Sequence, residues 1–218
     1  MALLNYNPPT NPYISVVYQD DAVVILNKPS ELLSVPGKAA EHKDCLETRV
    51  KTVLPTATIV HRLDMATSGL LIMALTKHAH REISRQFQHR ETQKRYIARV
   101  HGLIEKDEGS IELPLICDWP NRPKQMVDHE NGKHALTHWQ VLARGDNDTR
   151  VLLKPITGRS HQLRVHMLSL GHPILGDRLY AHPEALAMAP RLQLHAQWIA
   201  FTHPVSGKAV EFTTDCPF

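Results

Sequence analysis

The chain of 218 residues is poor in cysteine, and its three thiols (Cys45, Cys117, Cys216) lie far apart in no CxxC spacing. That pattern argues against a disulfide framework and fits reduced thiols in the cytoplasm. No run of about 20 apolar residues exists, which excludes a membrane-spanning helix. The opening "MALLNYNPPTNPY" is broken by Asn and Pro before an apolar region forms, so no secretory leader is expected. HExxH, GxGxxG, the P-loop and GxSxG are all missing. The 15 histidines do not supply a metal site in their place. His161 and His166 are five apart, and His134 with His138 falls in a strand-like segment, where that spacing makes no common helical face. No cofactor and no metal are therefore expected.

Net charge is only +3, with an isoelectric point near 8.8, which by itself does not indicate nucleic acid. The distribution says more. Lys77, Arg81, Arg85, Arg90, Lys94 and Arg95 face only Glu82 and Glu91 within one segment. Arg122, Lys124 and Lys133 form a second basic stretch, and Lys154, Arg159 and Arg164 a third. Such segments suit phosphates if the fold gathers them, but on charge alone they read as solvated helix and loop faces.

Periodicity predicts a mixed α+β chain with many strands and few helices. "ISVVYQDDAVVILNKPS" reads as two strands around an Asp-Asp turn, and a short helix follows through Leu46, Val50 and Val53. "TIVHRLD" is expected to be a strand entering a polar turn, with "GLLIMAL" leaving it. Thr76 is the expected cap of a helix over 77–89 whose apolar stripe (Ala79, Ile83, Phe87) is sparse. "KRYIARVHG", "GSIELPL", "ALTHWQVLAR", "DTRVLLKP", "RLQLHAQWIAFTHP" and "AVEFTT" read as further strands. Ser160 is expected to cap a helix that Gly171 ends. No repeat and no linker divides the chain, so one domain of 1–218 is expected, as two lobes sharing one sheet.

Chemistry has two candidate locations. Arg62 and Asp64 are two apart in "HRLDMATSGL", so extended backbone points both to one side. The pair reads either as an ion pair or as a carboxylate kept ionised for work. In "ITGRSHQLRVHM" a Gly turn precedes a helix start carrying Arg159 and Arg164, a combination able to hold a phosphate or carboxylate; an ordinary amphipathic helix explains most of the same residues. Tyr96 belongs to a strand and matters only if it faces the same place as Asp64.

These segments together resemble the RluA family of pseudouridine synthases. "HRLDMATSG" matches its HRLDxxTSG signature. "NKPSELLSVPG", "KRYIARVHG" and "ITGRSHQLRVHMLSLGHPILGD" resemble its other motifs, so the similarity runs from about residue 14 to the C-terminus. The resemblance implies the pseudouridine synthase fold, with a mixed, largely antiparallel sheet and a central cleft, and no S4-like RNA-binding domain. It implies that Asp64 is the catalytic aspartate, that Arg62 enters the RNA stack as the target base leaves, and that Tyr96 packs on the flipped uracil. Arg164 would pair with the catalytic carboxylate. His61, Thr67, Arg85, Lys94, Arg95 and Arg159 are the expected substrate-binding residues. Through "NYNPP" and "PLICDWPNRPKQ" the chain is similar to a dual-specificity member that acts on a tRNA anticodon stem-loop and on 23S rRNA. A monomer in the cytoplasm, without protein partners, is expected.

The chemistry implied fits the missing motifs. Isomerising uridine to pseudouridine needs no redox cofactor and no group donor, and one ionised carboxylate can serve the developing charge at C1′. Two other classes share parts of this pattern. A non-catalytic RNA-binding module would have the basic segments without a use for Asp64. A glycosidase acting on N-glycosidic bonds would need a pair of carboxylates, and only Asp64 has motif context, with Asp177 in "GDRLY" a distant second.

Overall fold

Alternating and continuous apolar runs set the strands of this computed structural model, which describes residues 6–218; the readings on "MALLN" lie outside the described residues. The strands are β1 (Val16–Gln19), β2 (Val23–Lys28), β3 (Thr58–Ile59), β4 (Ser68–Ala74), β5 (Gln93–His101), β6 (Glu108–Glu112), β7 (Leu115–Cys117), β8 (Gln125–Val127), β9 (Leu136–Arg144), β10 (Asp148–Pro155), β11 (Leu194–Thr202) and β12 (Ala209–Thr213). The helices are α1 (Leu46–Lys51), α2 (Lys77–Gln88), α3 (Gln162–Ser169) and α4 (Pro183–Ala187). The chain divides into two compact units. One runs to Lys94 and resumes at Ala196–Pro217; the other comprises Arg95–His195 with Phe218.

In the first unit the strand order is β1-β2-β4-β11, with β12 on β11 and β3 on β4. Every residue of β4 is buried, as its unbroken apolar run requires of a strand covered on both faces. Its core holds Val23, Ile25, Leu70, Ile72, Ile199 and Phe201, closed on one side by Ala79 and Ile83 of α2. Thr76 caps α2 as expected, its hydroxyl accepting from the Ala79 N–H at 3.1 Å. Gln86 joins that buried stripe because its amide bonds both backbone groups of Thr202. Gly69, the second residue of β4, has φ +113°, and a Cβ there would lie 2.3 Å from the Ala196 carbonyl oxygen. Only glycine allows the strands to approach so closely.

In the second unit β5, β10, β9 and β6 pair in that order, all antiparallel, and β7 with β8 forms a separate hairpin. The helix α3 starts differently from expectation. Its N-cap is His161, in the left-handed conformation at φ 53°, and no side chain caps it. Gln162 explains the displacement. Its Oε1 accepts from the Thr157 hydroxyl at 2.7 Å and the Arg159 N–H at 3.0 Å, which fastens the "ITGR" turn from inside the helix. Ser160 is left exposed. Gly171, at φ +90°, follows the helix end as expected.

Candidate active site

The predicted strand "TIVHRLD" is cut short, and the cut builds the site. β3 pairs with β4 only through Thr58 and Ile59, opposite Ala74 and Met73. Beyond it the imidazole of His61 takes over from backbone, its Nε2 accepting the Ile72 N–H at 2.9 Å. The ring also stacks on Phe87, with centroids 4.5 Å apart. Residues 62–64 are then free of the sheet yet keep their alternation: Arg62 is exposed, Leu63 buried and Asp64 half-buried.

The turn carrying Asp64 is fixed by its own carbonyls. The Leu63 carbonyl accepts from the Ser34 hydroxyl at 2.6 Å, and that of Asp64 from the Thr67 N–H at 3.1 Å. The Met65 carbonyl takes the Lys28 ammonium at 2.9 Å, and that of Ala66 the Ser30 hydroxyl at 2.6 Å. Four successive carbonyls are thus tied to fixed donors, which fixes the backbone that carries the Asp64 carboxylate. Lys28 is fully buried and also donates to the carbonyls of Leu32 at 2.7 Å and Pro29 at 2.9 Å. A buried ammonium is tolerable only with this kind of complete hydrogen bonding. Lys28, Ser30 and Ser34 were not expected at the site. The signal for them was a lysine ending an apolar strand just before Pro29, a costly place for a cation unless it has a task.

His61 and Thr67 support the turn rather than present their side chains to solvent. Thr67 is buried, and burial of His61, with the cation of Lys94 adding to it, depresses its pKa to about 3. The imidazole is therefore neutral, as an acceptor of the Ile72 N–H must be. An unfolded histidine titrates near 6.5. Between about 6.5 and 3 the unfolded chain binds a proton that the folded one refuses, so His61 costs stability as pH falls through that window. Above it the cost is absent. His61→Gln, which keeps an acceptor for Ile72, is expected to flatten this part of the acid limb in denaturation curves taken from pH 7 to 4. A wild-type slope shared unchanged by the variant would contradict the assignment.

Lys94 lies on β5 with its ammonium 5.9 Å from the Phe87 ring centre, and burial lowers its pKa. Arg85 is exposed and engaged by carboxylates. It meets Glu91 bidentately at 2.7 and 3.1 Å and Glu82 at 3.5 Å.

In the other unit Arg95 is exposed and Tyr96 half-buried, in register with Leu153 of β10. Arg164 is not at an open helix end. It is buried in α3 and grips Asp177 with two bonds, Nε to Oδ2 at 2.7 Å and Nη2 to Oδ1 at 2.6 Å. Its guanidinium also lies 5.0 Å from the centre of the Tyr180 ring. The phosphate contact that its spacing from Arg159 allowed is thereby replaced by a fixed carboxylate, and Asp177 is removed as the second carboxylate of a glycosidase. Arg159 is exposed and bonded through Nε to the His134 carbonyl at 3.0 Å.

A half-buried aspartate on a turn fixed through its backbone thus stands beside an exposed arginine, in a chain whose sheet is largely antiparallel. Residues 22–169 match the RNA pseudouridylate synthase family, and the chain belongs to it. The protein isomerises uridines to pseudouridine in RNA. Among curated relatives, the dual-specificity RNA pseudouridine synthase RluA of Escherichia coli O6:H1 is 59% identical over the full length of both chains. The enzyme of that name from Yersinia pestis is 62% identical over 93% of this chain and 99% of its own, and that from Haemophilus influenzae 52% over the whole of both. A solved human structure, RNA Pseudouridylate Synthase Domain Containing 1, superposes with a TM-score of 0.81 at 31% identity, covering 97% of this chain and 87% of that one.

Proposed function

We propose that Asp64 is the catalytic carboxylate of this isomerisation and that the substrates are a tRNA anticodon stem-loop and 23S rRNA. The observation that carries the first part is the turn itself: four successive carbonyls around Asp64 are tied down while its carboxylate is left half-buried. The reaction breaks N1–C1′ and joins C1′ to C5; C5 gives up its proton and N1 gains one. Asp64 meets the positive charge that develops at C1′, whether by attack, by electrostatic stabilisation or by taking the C2′ proton. A uracil stacked in RNA must first leave the helix, at a cost of a few kcal/mol. Arg62, exposed on the same turn, offsets it by occupying the gap, and Tyr96 by packing on the extruded base. Arg164, immobilised by Asp177, is the cation for the reacting centre. Lys94, Arg95, Arg85 and Arg159 are the phosphate contacts, Arg85 on exchanging its surface carboxylates for RNA.

Dual specificity is supported by the names of relatives 52–62% identical over nearly their whole length. We further propose that the chain works as one catalytic domain, as a monomer, in the cytoplasm; none of its helices is long and apolar enough to cross a membrane among the described residues. The test is a pseudouridine assay on tRNA and 23S rRNA taken from cells lacking the modification. Both RNAs are expected to be modified. Turnover of only one removes dual specificity and leaves the family chemistry standing.

A further inference from the structure

The hairpin of β7 and β8 carries a feature that catalysis as described leaves unused. Its base is anchored: Leu115 and Val127 pack with Ala135 and Val165, and the Gln125 N–H donates to the Tyr180 hydroxyl at 2.7 Å. Its tip is a rigid turn. The Asp118 N–H donates to the Lys124 carbonyl at 3.0 Å, the Asn121 N–H to the Asp118 carbonyl at 3.0 Å, and the Lys124 N–H to the Asn121 carbonyl at 3.1 Å. On that turn Trp119 is 64% exposed, the largest apolar side chain left so open. The Arg122 guanidinium lies over its ring, 4.6 Å from the centroid. Lys133 pairs with Leu115 through both backbone groups and so lies at the base of the hairpin, which leaves Arg122 and Lys124 as the cations of the tip. Asp128 and Glu130 lie toward the opposite end of the hairpin, and the Asp118 carboxylate is bonded to the Asn121 amide at 2.9 Å.

Core packing does not explain an indole held in water on a turn this well bonded. A broad aromatic face joined to a guanidinium plane amid cations fits an unpaired nucleobase with its phosphate, because every base has a π-face and the arginine can extend the stack. We infer that the β7–β8 tip is a second RNA contact, in which one unpaired base of the substrate RNA stacks on Trp119 and Arg122. This rests on the RNA isomerase activity already given, and it adds affinity away from the reacting uridine. The contact is also in fixed register with Arg164. The Tyr180 hydroxyl that receives Gln125 bonds His161 Nδ1 at 2.7 Å, while the ring of Tyr180 lies under the Arg164 guanidinium.

The test compares wild type, Trp119→Ala and Trp119→Phe on an anticodon stem-loop transcript and a 23S rRNA fragment, by filter binding and by steady-state turnover. Loss of one base stack is expected to raise Kd and KM of Trp119→Ala by about 5- to 150-fold. Its kcat should stay within about twofold, because the reacting centre is untouched, and Trp119→Phe should stay within about threefold in Kd, since it still stacks. The inference is overturned if Trp119→Ala binds both RNAs like wild type, if Trp119→Phe is as weak as Trp119→Ala, or if kcat falls while KM holds. Wild-type turnover on the same RNAs reports separately on the substrate assignment. Binding that depends on Trp119 without turnover would count against that assignment and leave the platform in place.

Discussion

Asp64→Asn is expected to lower pseudouridine formation by about 10⁴-fold or more, the scale seen when the group that meets the reacting carbon is removed. RNA affinity should be equal or higher. The amide is nearly isosteric, so the change tests charge and basicity alone. It also keeps the bonds to the carbonyls of Leu63, Asp64, Met65 and Ala66 that fasten the turn. Removing an anion that faces an RNA backbone cannot weaken the electrostatic part of binding. Single-turnover assays with radiolabelled uridine, filter binding and a melting curve together separate the outcomes. Turnover within tenfold of wild type would move catalysis to another group. Joint loss of activity, binding and melting temperature would mean that Asp64 holds the fold. Release of free uracil by the wild-type enzyme would turn the chemistry into hydrolysis.

Most of the strands, and α2 with its cap, were legible because they depend on nearest-neighbour pattern: Val23–Lys28 and Ser68–Ala74 are apolar runs, and Thr76 stands directly before its helix. What failed depended on particular side-chain bonds rather than on apolar pattern. The strand "TIVHRLD" has the right residues but stops after Ile59, because the ring of His61 takes the N–H of Ile72 that another β residue would have bonded. Ser160 has the chemistry of a cap, yet Gln162 folds back to Thr157 and Arg159 and pushes the helix start past it. The turn "HRLDMATSGL" could be singled out from its residues, and its resemblance gave Asp64 a role. Lys28 before Pro29 was a signal that something needed a cation, but not that Lys28, Ser30 and Ser34 fasten this turn, whose bonded carbonyls lie 29 to 37 positions on and meet them only in the fold. Arg164 was legible as a cation and not in its setting, because Asp177 lies 13 residues on, beyond the helix.

That setting carries the second large effect. Asp177→Ala is expected to destabilise the protein by about 3–5 kcal/mol, the cost of taking one partner from a buried ion pair. For a chain of this size the melting temperature should fall by roughly 6–20 °C. The Arg164 and Asp177 side chains are 4% and 0% exposed, so water cannot replace the lost carboxylate. Asp177 also accepts the Leu179 N–H at 2.9 Å and the Tyr180 N–H at 3.3 Å, and those donors lose their partner with it. The companion is the double change Arg164→Met with Asp177→Leu. It replaces two charges by apolar groups of similar length and should recover most of the stability, since a buried pair exchanged whole is often neutral or better. Activity should not return with it if Arg164 is the cation of the reacting centre. A double variant that regained both stability and turnover would reduce the pair to scaffold. An Asp177→Ala protein melting within about 2 °C of wild type would mean that Arg164 finds another anion or reaches water, against the burial on which the argument depends.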